Sequence, residues 1–224
     1  MKRLKVQIDI NPALYVKNPD SSELGRTIIM KSIELIGEIG FGAFTFRKLG
    51  QLIGSPESSI YRYFKSKHML LVYLTSWYWT WTEYRLVFAT TNVVSPMERL
   101  IKSLDILTQH VRIDNEFSYV NEVLLTEIIF SESIKAYHTK NVEDENQKGC
   151  FSAYKSVVER VSNIVLEIKP DYSYPHMLVS TLIEGAHQQK YFAAHLPELT
   201  DKINDEKAVP NFYKDLVLNI LTNE

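Results

Sequence analysis

Between positions 56 and 67 the sequence runs Pro-Glu-Ser-Ser-Ile-Tyr-Arg-Tyr-Phe-Lys-Ser-Lys. This run places short hydroxyls, phenols and cations around two apolar residues four positions apart. On a helix Ile60 and Phe64 share one face, which leaves Glu57, Ser58, Ser59, Tyr61 and Arg62 on the other. Short hydroxyls allow close approach to base edges, arginine bridges guanine, and tyrosine stacks or reaches phosphate. Lys65 and Lys67 stand where a further helix starts, and its exposed N–H groups add to the attraction for a phosphate. Nine residues of helix over 56–64 span about 13 Å, and the major groove of B-DNA is about 12 Å wide. The chemistry suited to this pattern is the reading of duplex DNA.

A helix that short has to be held by its neighbours. Residues 24–39 place Ile29, Ile33 and Ile36 at i, i+4 and i+7 with Glu34 and Glu38 opposite, an amphipathic helix, and Gly40 stands where a helix-ending glycine belongs. Thr45 is the N-cap expected for a short helix over 46–53, stopped by Gly54. Ser55 and Pro56 open the reading helix as N-cap and first helical residue, with Ile60 and Phe64 packed against Ile33, Leu49 and Leu52. Two short helices joined through a glycine turn and preceded by a longer helix make a helix-turn-helix. A long helix comes next over 67–89, and further helical periodicity lies near 96–112, 118–137, 142–168, 174–195 and 209–222. The strand-like alternation of Leu4, Val6, Ile8 and Ile10 has no evident partner strand and predicts an arm that packs on a neighbour or stays loose. The expected fold is all-α with about nine helices. It comprises an arm over 1–22, a three-helix DNA-binding domain over 23–66, and a larger helical ligand-binding and dimerisation domain over 67–224.

The charge distribution agrees with that division. Residues 1–70 hold eleven Lys and Arg against six Asp and Glu, whereas the remaining 154 residues hold 14 against 21. A basic module that meets a polyanion is thus joined to an acidic body that does not. The 224 residues are 45% hydrophobic and 23% charged, a globular composition able to bury a core. Cys150 is the single cysteine, which excludes an internal disulfide or a cysteine zinc site and reads as a small buried residue. The apolar stretch 68–82 is interrupted by Thr75, Ser76 and Thr80 and falls short of the ~20 residues of a membrane span. Lys2, Arg3 and Lys5 resemble the start of a signal peptide, but Asp9, Asn11 and Pro12 break any apolar core behind them. The expected location is cytoplasmic, with no membrane partner.

Residues 26–71 resemble the DNA-binding domain of the TetR family of bacterial transcriptional regulators. The resemblance is carried by Ile28-Ile29, Gly40-Phe41, Thr45-Phe46-Arg47-Lys48-Leu49, Ile53-Gly54, the run from Ile60 to Lys67, and Leu70-Leu71. Its most specific part is the closing Tyr61, Tyr63, Phe64 and Lys67. The resemblance implies that Thr45 and Arg47 touch DNA from the first short helix, that Glu57, Ser58, Ser59 and Arg62 face the groove, and that Tyr61, Tyr63 and Lys67 hold the phosphate backbone. Packing between helices is the alternative for Tyr61, core for Phe64, and a solvated face for Arg47 and Lys48. Ser55-Pro56 departs from the family's usual valine-serine, and Glu57 puts an acid on the reading face. There Glu57 either accepts from a cytosine amino group or stabilises the helix N-terminus.

In the body, Trp77, Trp81, Tyr84 and Phe88 recur at i, i+4, i+7 and i+11. Such a stripe is core, or the wall of an apolar ligand pocket; the resemblance implies a pocket beside this helix. Trp81, Tyr84 and Phe88 are then candidate ligand contacts, with His110, Tyr137 and Tyr154 as polar handles beside Tyr84. Specific affinity from one helix-turn-helix requires two half-sites matched by protein symmetry. The last two helices carry candidate seam residues Leu178, Leu182 and Ala186, and Phe212, Leu216 and Ile220; ordinary core is the alternative. The resemblance implies a four-helix bundle between subunits there.

The expected partners are a double-stranded DNA operator, an unidentified small-molecule effector and a second copy of the chain, with no cofactor. The expected function is a sequence-specific transcriptional regulator, a repressor released by a small apolar or aromatic ligand. Two alternatives stay open: an architectural or cell-division factor that recruits a protein partner, and a helical metal-dependent enzyme. Against the last, the six histidines form no HxH or HxxxH pair, Glu184 and His187 make a lone ExxH, and no phosphate-binding glycine motif or nucleophile elbow occurs.

Overall fold

The computed structural model describes residues 8–109, 111, 119–201 and 205–222. Among these residues the regular structure is helical throughout: α1 (Glu23–Ala43), α2 (Phe46–Leu52), α3 (Glu57–Tyr61), α4 (Lys67–Thr90), α5 (Pro96–Thr108), α6 (Glu122–Glu132), α7 (Ile134–Tyr137), α8 (Val142–Gln147), α9 (Ser152–Ile168), α10 (Pro175–His195) and α11 (Ala208–Thr222). Short 3-10 turns occupy Pro12–Leu14, Pro19–Ser21 and Pro197–Leu199. The all-α expectation holds, with more helices than periodicity suggested. The stretch 118–137 is capped by Asn121, whose side chain accepts from the Leu124 N–H, and it breaks at Ser133. The stretch 142–168 breaks at Gly149, whose φ of +73° lies outside the helical region.

The chain forms two compact units, Met1–Thr80 with Val111–Ser152, and Trp81–His110 with Ala153–Glu224. In the first, α1 buries Ile28, Ile29, Ile33 and Ile36 on the face that sequence periodicity marked. It packs against α6, which contributes Leu125, Ile128 and Ile129. Ser22 caps α1 by accepting from the Gly25 N–H, and the regular part of α1 ends at Gly40 (φ 74°, ψ 155°). The buried Glu132 carboxylate accepts from the Phe41 N–H at 3.3 Å and pairs with Lys135. A His68–Glu145 pair at 2.8 Å ties the first turn of α4 to α8. The segment before α1 corrects the expectation of an arm that packs on a neighbour or stays loose. Its described part, from Ile8, buries Ile8, Ile10 and Leu14 in its own unit without strand structure; Leu4 and Val6 lie outside the described residues.

The second unit is built on α5, α9, α10 and α11. Leu100, Leu104, Val157, Val161, Val165, Val179, Leu182, Ile183, Ala186, Tyr213 and Val217 are buried in it. Two ionisable side chains on α10 are buried as well. Lys190 donates to the carbonyl of Gln109, the C-cap of α5, at 2.8 Å. Burial, then the charge of Arg85, pushes its pKa down to about 7. Burial also pushes His187 down, to about 3. Between about 7 and the ordinary lysine value of 10.5, the unfolded chain holds a proton on Lys190 that the folded chain has lost. Folding stability therefore rises with pH across that window. Unfolding titrations of the wild type and Lys190→Met, compared between pH 7 and 10.5, are expected to show the wild type gaining stability relative to the variant as pH rises. Parallel curves would contradict the lowered pKa of Lys190.

Candidate nucleic-acid interface

The turn between α2 and α3 depends on a close backbone approach. A methyl group on Gly50 would stand 2.6 Å from the Ser55 carbonyl oxygen, inside contact distance of a backbone atom, and the Ser55 N–H donates to the Gly50 carbonyl at 2.9 Å. Thr45 caps α2, its hydroxyl accepting from the Lys48 N–H at 3.2 Å. Ser55, engaged in the turn, does not cap α3. Pro56 takes the N-cap position with extended backbone and no side-chain hydrogen bond. The reading helix is correspondingly shorter than the sequence suggested, Glu57–Tyr61 rather than 56–64. Beyond it the Tyr63 and Phe64 N–H groups both donate to the Ile60 carbonyl, at 2.9 and 3.1 Å, which closes the helix as a tight turn.

The inward face is as expected for Ile60, Phe64, Leu49 and Ile33, all 0–1% exposed. Leu52, expected beside them, is instead 52% exposed, since it is the last residue of α2 and turns outward. Phe64 stacks edge-on against Tyr73 at 5.2 Å, a core residue and no contact for a ligand. On the outer side Thr45, Arg47, Ser58, Tyr61, Arg62 and Lys65 are exposed, and Glu57 and Ser59 are half-buried. The Tyr61 ring meets Phe46 edge-on at 5.1 Å, so the packing alternative and exposure both apply to it. The Glu57 carboxylate, one turn back, raises the pKa of the Tyr61 phenol.

Two expected phosphate contacts also have partners within the protein. The Lys67 ammonium donates to the carbonyls of Phe41, Gly42 and Phe44 at 3.2, 3.3 and 3.1 Å and lies 4.9 Å from the centre of the Phe41 ring. It satisfies carbonyls left open where α1 ends, where a cation is also favoured by the helix dipole. Tyr63 is 3% exposed. Its hydroxyl lies 2.8 Å from the Ser22 hydroxyl and 3.5 Å from the Lys17 ammonium. Lys17 carries no signal in the sequence pattern, because it lies outside the motif and stands 46 positions before Tyr63. Lys48, exposed at its side chain, reaches back to the Ala43 carbonyl at 2.9 Å.

Residues 28–74 match the family model described as bacterial regulatory proteins, tetR family. The chain carries a TetR-family domain. The matched TetR segment contains the whole of α2 and α3 and the residues just described. Several solved structures share the fold across most of the chain. The superantigen PfiT matches with a TM-score of 0.58 at 14% identity, covering 93% of this chain and 100% of that one. The TetR family transcriptional regulator PfmR from Thermus thermophilus matches at 0.57 and 14% identity, covering 87% and 96%. A TetR-family transcriptional regulator from Bordetella parapertussis 12822 matches at 0.57 and 12%, covering 90% and 96%. These identities speak to the fold alone. No curated protein matches the chain in sequence.

The residues expected to line a ligand pocket divide between the two units. Trp81 is buried, with the Arg85 guanidinium 4.7 Å from its ring centre. Tyr84 is half-buried and stacks on Phe88 at 6.3 Å, while Phe88 is 76% exposed. The Tyr154 hydroxyl lies 2.7 Å from the Glu184 carboxylate, to which it donates. In the other unit the Tyr137 hydroxyl accepts from the Trp79 indole at 2.9 Å. His110 lies outside the described residues. A surface hollow of about 370 Å³ lies instead near the start of α11, lined by Gln189, Leu199, Thr200, Val209, Phe212 and Asp215 among others, and by none of the expected ligand residues. Among the described residues no three metal-ligating side chains cluster, and no helix is long and apolar enough to cross a membrane.

The expected seam residues are also split. Leu182 and Ala186 are buried in the core of their own unit, so they do not face a second copy. Phe212 and Leu216 are 58% and 40% exposed, and Leu178 and Ile220 are half-buried.

The placement of Lys67 yields a direct test. Replacing it with alanine leaves three carbonyls without their charged donor, and Lys67→Ala is expected to lower the stability of the DNA-free protein by about 2 kcal/mol. Thermal or urea unfolding reads this. Unchanged stability together with weakened DNA binding would return Lys67 to the phosphate role expected from sequence.

Proposed function

We propose that the chain is a dimeric, ligand-responsive transcription factor that binds an approximately palindromic operator and acts as a repressor. The observation that carries the reading is the exposed outer face of α3. Ser58, Tyr61 and Arg62 stand clear of the core on a helix whose opposite face is fixed by Ile60. Arg62 reads guanine, Ser58 and Ser59 approach base edges, and Thr45, Arg47, Tyr61 and Lys65 contact the strands on either side. Glu57, half-buried at the first position of α3, keeps phosphate from the start of the helix.

Dimerisation is supported by the surface of α11. Tyr213, Val217 and Leu221 recur at i, i+4 and i+8 and are buried, so the helix already has one apolar face against its own body. Phe212, Leu216 and Ile220 repeat the same spacing one residue earlier, a second apolar face that monomers rarely leave in water. A second copy covers it, matching an operator whose half-sites lie about 34 Å apart, one turn of DNA. The aromatic run of α4 supports an apolar or aromatic effector. Release of DNA requires that this effector bind a conformation with the wrong half-site spacing more tightly than the DNA-competent one.

Selection from a random duplex library with purified protein tests the reading. A recurrent two-fold symmetric sequence is expected, and binding without preference, however steep its salt dependence, would refute it. Arg62→Ala is expected to relax preference at one base position of each half-site, costing about 1–3 kcal/mol of discrimination, measured by repeating the selection. An equal loss on every sequence would remove Arg62 from base reading. Phe212→Glu combined with Leu216→Glu is expected to yield a folded monomer in light scattering; an unaltered dimer would place the seam elsewhere.

A further inference from the structure

We infer that Lys17, on the segment preceding α1, seats a backbone phosphate of bound DNA together with the hydroxyls of Tyr63 and Ser22. The inference rests on the proposed DNA-binding reading and assigns a contact to a residue outside the matched family segment. The segment is fastened to the end of the reading helix. The Val16 N–H donates to the Tyr63 carbonyl at 2.7 Å, and the Lys17 ammonium lies 3.5 Å from the Tyr63 hydroxyl and 5.2 Å from its ring centre. On either side of Lys17 the segment is anchored. Leu14 is fully buried, and Pro19 is buried with its carbonyl against Gly25 of α1. The Asn11 side chain donates to the Lys148 carbonyl at 2.9 Å, and Arg26 donates to the Asp20 carbonyl at 2.7 Å. The ammonium is thus exposed on an ordered strap rather than carried on a loose arm.

Position and electrostatics agree. Tyr63 comes directly after Arg62, so Lys17 stands at the edge of the face proposed to read bases, where the phosphates of the groove wall pass. The Tyr63 phenol has a lowered pKa. The Ser22 hydrogen bond is the largest cause, followed by Lys17 and the charge of Arg62, and together they outweigh the opposing effect of burial. A spot that favours a phenolate oxygen favours a phosphate oxygen for the same reason. The ammonium and the one hydroxyl proton not used in the Ser22–Tyr63 hydrogen bond supply the donors a phosphate takes. With Lys67 held by the end of α1, Lys17 supplies the cation on this side.

The test uses salt dependence, which counts phosphate contacts. Binding of the full chain is measured by fluorescence anisotropy over a range of salt, on its selected duplex and on a random-sequence duplex of the same length. Each lost phosphate contact makes the slope of log affinity against log salt shallower by about 0.9. Lys17→Ala is expected to show that change on both duplexes, with an unaltered base preference and an unaltered melting temperature. Lys17→Arg is expected to keep the wild-type slope, and Tyr63→Phe to weaken both duplexes by the same factor. A wild-type slope for Lys17→Ala would overturn the inference. A wild type that binds every duplex alike, but whose slope still falls with Lys17→Ala, would leave the Lys17 contact standing and overturn the regulatory reading. A wild type that binds no duplex would overturn both.

Discussion

A helix of five residues contains barely one turn of hydrogen bonds and has no stability of its own in water. The position of α3 is therefore a product of what surrounds it. Ile60 and Phe64, without exposed surface, anchor its inner side. The approach of Gly50 to Ser55 fixes where it starts, and the hydrogen bond from Val16 to the Tyr63 carbonyl fixes where it stops. Because these restraints crowd both ends of so short a helix, the outer face has little freedom left. A surface that recognises bases requires that economy of motion, since a reading side chain displaced by an ångström loses its bidentate geometry.

The cations around α3 fall into two groups with different work. Lys67 and Lys48 reach backbone carbonyls near the end of α1 and so hold the first helix to α2 and α4. Arg47, Arg62, Lys65 and Lys17 keep exposed side chains. Positive charge in the first seventy residues is thus partly structural, and a count of lysines and arginines overstates the number available to a polyanion. The shared fold leaves room for other uses of the body, since its structural neighbours include a superantigen beside transcriptional regulators. What separates these uses is the site, not the scaffold.

Much of the architecture was legible in the residues. Periodicity found the inner face of α1, the inward pair Ile60 and Phe64, and the order of the helices; Thr45 announced its cap. The errors share a physical origin. Periodicity identifies an apolar face but not what covers it, so Leu182 and Ala186, which belong to their own core, read the same as Phe212 and Leu216, which face outward. A lysine beside a motif reads as a phosphate ligand, and nothing local reveals that carbonyls more than twenty residues away have claimed Lys67. The strap before α1 was invisible for the same reason: its bond to Tyr63 spans more than forty positions, and its apolar residues alternate too briefly to disclose a packing partner. Gly149, which divides the single helix expected over 142–168 into α8 and α9, shows that a single positive φ overrides the periodic signal.

The central claim is that the outer face of α3 lies in the major groove. Methylation interference tests it at the atom in question, because N7-methylguanine carries its methyl group where an arginine side chain would bind. On a duplex selected by the protein, methylation of guanines in two half-sites about 10 base pairs apart is expected to block binding. Binding that tolerates N7 methylation throughout the duplex would contradict the account.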